Sequence, residues 1–281
     1  MLAVSYAKIN LFLEVIDRLE SGYHQVNTVL CGIDLFDCIK FSLTKSGSPI
    51  VWSSNAKLNG QNNLMYKIAD YLRTKYGLEE SVEIYLEKRI PIAAGLGGGS
   101  SNAAIAILAL DKLWRLDLAS EEKHEIAARF GSDINFFLEG GTALGENRGE
   151  RISRMDDILI DNILLVNPGI EIPASIAYGA VELPAPGEAK LYDPKRPIAT
   201  MYNRLESGIR KLYPKVYRIL CTLDEFGSQK SMLSGSGSTC FGIFENENDL
   251  AICQKHFHKL GFYTHKTKTL SRREYQKCFP S

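Results

Sequence analysis

Residues 91–104, Pro91-Ile92-Ala93-Ala94-Gly95-Leu96-Gly97-Gly98-Gly99-Ser100-Ser101-Asn102-Ala103-Ala104, place four glycines and two serines within seven positions. Glycine lets a backbone take positive φ and come close to a ligand. The alanine-rich run that follows, through Leu108 and Leu110, has helical spacing. Its first turn would offer unpaired N–H groups and a positive dipole end. Such a corner binds anions, and a nucleotide phosphate is the anion it suits. A ligand-free turn needs one or two glycines, not four beside two hydroxyls. Other glycine loops fit less well. No lysine follows the run, as a P-loop requires. A dinucleotide fingerprint would have a glycine where Ser100 stands and would open the first βαβ unit. Protein kinase signatures, His-Arg-Asp or Asp-Phe-Gly, are not present.

Three more islands hold polar residues where a core would not. In Ser5-Tyr6-Ala7-Lys8-Ile9-Asn10-Leu11-Phe12-Leu13, Tyr6, Lys8 and Asn10 alternate with apolar residues on a strand. By itself the pattern fits an edge strand with a solvated face. A lysine there could also neutralise a transferring phosphoryl group or a carboxylate. Gly22-Tyr23-His24 lies in a turn. A lone turn histidine is commonly incidental; beside a tyrosine it supplies a π face, a donor and an acceptor, which suit a heterocyclic base. In Gly131-Ser132-Asp133-Ile134-Asn135-Phe136-Phe137 the aspartate is either a turn residue or a general base shielded by the two phenylalanines. The residues alone leave both readings open.

The elements that must position these groups follow from periodicity. Ser5 to Val15, Thr28 to Ile33 and Phe36 to Leu43 read as strands, with a polar turn from Asp17 to Gln25. Asn62 to Tyr76 reads as a helix stopped by Gly77, and Val82 to Glu87 as the strand before the glycine loop. Helices are expected over 101–114 and over 120–130, the latter with Ser120 as N-cap and Gly131 as its end. Ala143 to Ile152 and Ile158 to Val166 look like strands, and Asp156, Asp157 and Asp161 mark a domain boundary between 1–155 and 156–281. Residues 184–197, with four prolines, form a loop. Helices over 201–213, 216–226 and 248–260 and strands over 239–244 and 262–268 complete the chain, with a second glycine turn at Ser234-Gly235-Ser236-Gly237-Ser238. Strands mixed with helices in this order predict α+β architecture.

The 281 residues are 45% hydrophobic and 23% charged, enough for a real core in about two domains. Lys plus Arg and Asp plus Glu are 33 each, so no global field draws nucleic acid or an anionic membrane. A phosphate must then be held by local geometry. Six scattered cysteines show no metal spacing and suit reduced thiols in the cytoplasm. No leader peptide and no membrane-length apolar run is visible. The basic tail, Lys266 through Lys277, reads as solvated surface.

Pro91 with Gly95-Leu96-Gly97-Gly98-Gly99-Ser100-Ser101 resembles the signature loop of the galactokinase, homoserine kinase, mevalonate kinase and phosphomevalonate kinase (GHMP) superfamily. Within it, Ala7-Lys8-Ile9-Asn10-Leu11, Gly22-Tyr23-His24 and the long Gly-Gly-Gly-Ser-Ser-Asn-Ala-Ala form are similar to the kinases that act on 4-diphosphocytidyl-2-C-methyl-D-erythritol in the non-mevalonate isoprenoid pathway. Gly131-Ser132-Asp133, Asn167-Pro168-Gly169 with Ile172-Pro173, and the Ser234 to Gly237 turn extend the likeness over most of the chain.

The resemblance implies two domains, an N-terminal one like ribosomal protein S5 domain 2 and a C-terminal ferredoxin-like one, with a cleft between them. It implies transfer of the ATP γ-phosphoryl to the C2 hydroxyl of the methylerythritol unit. Asp133 would take the hydroxyl proton, and Lys8 would sit against it and the transferring group. Gly95 to Ser101 would hold the phosphates, with Pro91 in the same loop, and Lys88 and Asn63 are candidates for the nucleoside side. Tyr23 and His24 would read the cytosine and Tyr178 would cover its second face. Asn10 and Gly235, Ser236 and Gly237 would contact substrate hydroxyls or phosphates. Mg²⁺ is expected with ATP, held mostly by phosphates and water, with no protein ligand assigned. Two departures stand out. The family continues the aspartate with Val-Pro, where this chain has Ile134-Asn135, and Ala174-Ser175 follows Pro173 where a hydroxyl residue often comes first. The alternatives are another superfamily kinase, of homoserine or mevalonate type, or a non-catalytic nucleotide-binding sensor. The retained Asp133 and Lys8 argue against the sensor.

Overall fold

A computed structural model describes residues 1–279. The first half is a mixed sheet backed by helices. β1 (Leu2–Arg18) and β2 (His24–Thr44) form a long antiparallel hairpin. β3 (Ile50–Ser53) is followed by α1 (Leu64–Lys75), β4 (Ser81–Glu87) and α2 (Gly98–Trp114). Then come α3 (Ser120–Phe130), α4 (Ile134–Glu139), β5 (Thr142–Glu146) and β6 (Arg151–Arg154). The sheet runs β3-β4-β2-β1, with β5 also pairing β2 and with β6. Its core lies between the sheet and α1 to α4, around Phe41, Met65, Ile84, Ile105, Phe136 and Phe137.

The second half contains β7 (Ile163–Asn167), α5 (Ala174–Gly179), β8 (Tyr202–Asn203), α6 (Leu205–Leu212) and α7 (Pro214–Glu225). β9 (Lys230–Leu233), β10 (Cys240–Ile243), α8 (Glu247–Lys259), β11 (Tyr263–Thr267) and α9 (Arg272–Tyr275) follow. β11-β7-β10-β9 is an antiparallel sheet with helices α6 to α8 threaded between its strands, the βαββαβ order of a ferredoxin-like domain. β8 leaves this half and pairs in parallel with β1, Leu13 opposite Asn203. A further apolar cluster joins the halves, with Ile9, Leu11, Val29 and Leu96 meeting Leu165, Met232 and Phe241.

Several expectations are corrected. Thr28 to Ile33 and Phe36 to Leu43 are one strand; the ladder steps from Tyr6–Phe36 to Ala7–Ile33, so Asp34 and Leu35 form a bulge rather than a break. Ser120 is the first residue of α3, not its cap, which is Ala119. Residues 143–152 are two strands joined by a turn at Asn147 to Gly149. β3, α4, α5, β9 and α9 carried no pattern strong enough to read. The tail is not simply solvated surface. Tyr275 is fully buried in the N-terminal core, against Tyr6 and Phe136, and its hydroxyl donates to the Phe137 carbonyl at 3.4 Å. Gly140 and Gly32 leave the room its ring fills; a Cβ at Gly140 would overlap Tyr275 Cδ1. A capping box, Ser271 with Glu274, starts α9, and Arg272 donates to the carbonyls of Gly140 and Thr142.

Candidate functional site

The glycine loop stands between two cavities. One, of about 340 Å³, is lined by Leu58, Asn63, Lys88, Pro91, Gly98, Gly99 and Asn102. The other, of about 830 Å³, is lined by Lys8, Asn10, Tyr23, His24, Asp133, Tyr178, Gly235 and Ser236. Gly95, Gly97 and Ser100 face both. A ligand laid across this loop would reach from one cavity into the other.

The loop is shaped by backbone. Gly97, at φ +69°, caps α2 without a side chain, and a Cβ there would come within 2.6 Å of Phe137. The first-turn N–H groups of α2 therefore face outward uncovered. Gly95, at φ +75°, lies against the second glycine turn, and a Cβ there would overlap the Ser234 carbonyl oxygen. Ser234 Oγ donates to the Gly95 carbonyl at 3.0 Å and Thr239 N to the Ala94 carbonyl at 3.2 Å. The second glycine turn thus braces the first. It is in turn held by Asn203, whose amide donates to the carbonyls of Leu233 and Gly235, both at 2.8 Å.

Beneath the small cavity lies a buried ionic knot. Asp37 accepts from Lys88 Nζ at 2.7 Å, from Arg89 N at 2.7 Å, from Ile90 N at 2.9 Å and from Asn102 Nδ2 at 2.9 Å. Burial lowers the Lys88 pKa, and Asp37 opposes that shift. Lys88 also donates to the Ile90 carbonyl at 2.6 Å, so its ammonium ties the loop's entry to β2. Asn63 caps α1, accepting from Met65 N and donating to the Leu58 carbonyl, while lining the cavity. Leu96 and Ser101 lie outside both cavities. Leu96 is a core residue at the junction of the halves, and Ser101 is 0% exposed, its side chain turned to the core that holds Tyr275. Helical geometry explains Ser101: its N–H already donates to the Gly97 carbonyl, and its side chain turns inward.

In the large cavity, Lys8 and Asn10 project from the same face of β1, each 3% exposed. The edge-strand reading therefore fails; both faces of β1 are covered. Lys8 Nζ donates to Asn10 Oδ1 at 2.6 Å and lies 3.8 Å from Asp133 Oδ2. Asn10 Nδ2 donates to Thr28 Oγ1 at 2.8 Å, which donates to the Phe12 carbonyl at 2.7 Å. That chain fixes the amide with its oxygen toward the lysine. Burial lowers the Lys8 pKa, and the Asp133 charge works the other way. Asp133 stands at the head of α4 with its side chain 40% exposed. The arrangement can take a proton from a bound hydroxyl and neutralise charge beside it.

Tyr23, 56% exposed, ends the β1–β2 turn, and the Arg148 guanidinium lies 5.1 Å from its ring centre. His24 and Tyr178 stack on each other at 5.2 Å and 27°. They form a stacked aromatic wall of the large cavity. Burial, then Arg18, lowers the His24 pKa, so near neutral pH its ring keeps one donor and one acceptor. Burial, then the Asp133 charge, raises the Tyr178 pKa. Gly235 packs against Lys8 and Asn10, whereas Gly237 turns toward Leu233 and lines neither cavity. Ala174 and Ser175 line the large cavity. Sequence reasoning missed Thr28, Asp37, Arg148 and Asn203. Only Asp37, a charge amid the apolar run of β2, left a readable signal.

No helix among the described residues is long and apolar enough to cross a membrane. Residues 63–141 match the GHMP kinases N terminal domain, and residues 191–261 match GHMP kinases C terminal. A 4-diphosphocytidyl-2-C-methyl-D-erythritol kinase of Thermoanaerobacter pseudethanolicus is 36% identical over 95% of this chain and 96% of its own. A kinase of the same name from Bacillus pumilus is 37% identical over 86% of this chain and 87% of its own. A crystal structure of a 4-(cytidine 5'-diphospho)-2C-methyl-D-erythritol kinase superposes with TM-score 0.81 at 29% identity, covering 96% of this chain and all of that one. The mevalonate kinase of Methanococcus jannaschii shares the fold, with TM-score 0.72 at 15% identity over 96% of this chain and 98% of that one.

Proposed function

The chain belongs to the 4-diphosphocytidyl-2-C-methyl-D-erythritol kinases of the GHMP kinase family, and from that premise we propose how its two cavities share the reaction. The enzyme phosphorylates 4-diphosphocytidyl-2-C-methyl-D-erythritol with ATP, a step of the non-mevalonate route to isoprenoid precursors. In our reading ATP occupies the smaller cavity, its phosphates laid over Gly97 to Ser100. The cytidyl substrate fills the larger one, with its 2-hydroxyl turned to Asp133. What supports this is one observation: the Lys8–Asp133 pair opens on the cavity wall formed by the glycines that both cavities share.

Asp133 accepts the hydroxyl proton as the oxygen attacks. Lys8, held by Asn10, lies 3.8 Å from that carboxylate and faces the charge that builds on the transferring group. Phosphoryl transfer makes little covalent demand on a protein, so positioning and charge carry most of the rate. Ser100, whose residue faces both cavities, is placed for the terminal phosphate or its metal. Mg²⁺ would arrive on the nucleotide, held mostly by phosphates and water. Bound there, Mg²⁺ would neutralise phosphate charge. At the cytidyl end, Tyr23 offers an open face for stacking, and neutral His24 offers a donor and an acceptor to the base edge. A domain division at 155/156 and a cytoplasmic setting for the six free thiols belong to the same reading.

The test is Asp133→Asn. We expect kcat to fall about 10²- to 10⁴-fold, the usual worth of a positioned base, with KM for ATP unchanged. An unaltered kcat would remove Asp133 from the mechanism.

A further inference from the structure

Asn135 stands two residues beyond Asp133, and three elements meet on its amide. Its Nδ2 donates to the Glu150 carbonyl, in the turn leading into β6, at 3.0 Å. Its Oδ1 faces His124 Nδ1 of α3 at 3.2 Å. His124 Nε2 faces Glu139 Oε1, at the end of α4, at 3.0 Å. The donor count decides the protonation state. The Glu150 carbonyl can only accept, so the Asn135 nitrogen must point to it and the Asn135 oxygen to the ring. Both imidazole nitrogens then face acceptors, and both must carry protons. We infer that an imidazolium at His124, acting through Asn135, is a positioning device that fixes the Asp133 turn relative to the Arg148–Tyr23 wall.

The route is short. Glu150, besides its carbonyl, accepts from Arg148 N at 2.9 Å, Arg148 Nε at 3.4 Å and Asn147 Nδ2 at 2.5 Å. Arg148 lies over Tyr23. The base and the cytidyl wall are thus two ends of one clasp, and α4 has no side-chain cap of its own to fix its start. The charged groups around the ring are Glu139 of α4, Glu121 one turn earlier on α3, and Arg154 of β6, which shares Glu139 at 2.7 Å. The Lys123–Asp111 pair bridges α3 to α2 nearby. The Glu139 hydrogen bond, first among these influences, raises the His124 pKa above 6.5. The clasp is therefore complete below that raised value and loses its proton as pH rises through it. One acceptor pair then faces itself, and either the His124 or the Glu150 contact must part.

The inference rests on Asp133 as the base, and its test separates the two. In the full-length enzyme, histidine-resolved NMR is expected to show His124 titrating above 6.5 with both ring protons held below that point. Over the same midpoint, kcat/KM for the cytidyl substrate should fall about 10- to 100-fold, as misplaced reacting groups do. Glu139→Gln should move the NMR midpoint and the kinetic limb to lower pH together, which the Lys8 proton would not do. Asn135→Ala should abolish that limb and hold the rate at its alkaline level, with KM for ATP unchanged. Three results would overturn the inference: a His124 ring with one proton at pH 6, a kinetic limb that stays put when the midpoint moves, or an Asn135→Ala profile that matches the parent. The first needs no variant to fold. Should Asp133→Asn keep full kcat while His124 still titrates with the cytidyl KM, the base assignment falls and the clasp stands.

Discussion

The two cavities flanking the glycine loop are built on opposite plans. The smaller is made of backbone: Gly95 and Gly97 in left-handed conformations, an uncapped helix start, and the Asp37 knot beneath. The larger is made of side chains on turns and short helices: Tyr23, His24, Arg148, Asp133 and Tyr178. Backbone amides recognise phosphate wherever it comes from, and side chains recognise what is attached to it. The difference teaches where selectivity resides. The mevalonate kinase fold is shared at 15% identity, so it is the side-chain cavity that must separate substrates.

The comparison breaks most severely at Asp37. Asp37→Asn removes one of two acceptor oxygens and leaves Lys88 buried without its counter-charge. Breaking a buried ion pair costs about 3–5 kcal/mol. Denaturant unfolding should show that loss, and a variant as stable as the parent would mean the loop does not depend on the knot. Tyr23→Ala acts on the other cavity alone. Stacking of a base on an aromatic ring is worth about 1–3 kcal/mol, so KM for the cytidyl substrate should rise about 5- to 150-fold. KM for ATP should stay level; an equal rise in both would erase the division of labour. Ser101→Ala is the mildest probe. Its side chain is buried and lines neither cavity, so stability should change by no more than about 1.5 kcal/mol and KM for ATP should hold. A clear rise in that KM would put the Ser101 hydroxyl on the phosphates after all.

What was legible in the sequence was local. The glycine run, the Lys8–Asn10 alternation and the Gly22-Tyr23-His24 turn each declare themselves within a dozen residues. Groups that work across the chain did not. Asp37 meets Asn102 only because the β1–β2 ladder sets Asp37 opposite Ser5, and Ser5 Oγ accepts from the same Asn102 at 2.6 Å. That register runs through a bulge which broke the strand pattern in two. Asn203 reaches the second glycine turn through a two-residue strand, too short to show periodicity. Ser101 misleads for a different reason: a composition rich in hydroxyls suggests a phosphate site, while a 100° step per residue turns adjacent serines to different sides. In the tail, ten charged or polar residues among the twelve from Lys266 to Lys277 concealed the ring of Tyr275.

That ring has a consequence for how the protein comes into being. β1 and β2 come early in the chain, yet the space between Gly32, Gly140 and Phe136 is filled by Tyr275, which follows all of β7 to β11. The amino-terminal half is a room whose last brick is supplied by α9. Without α9 the core beneath α2 and α4 lacks the ring that fills it. Closure of the amino-terminal core therefore requires the second half of the chain to be in place.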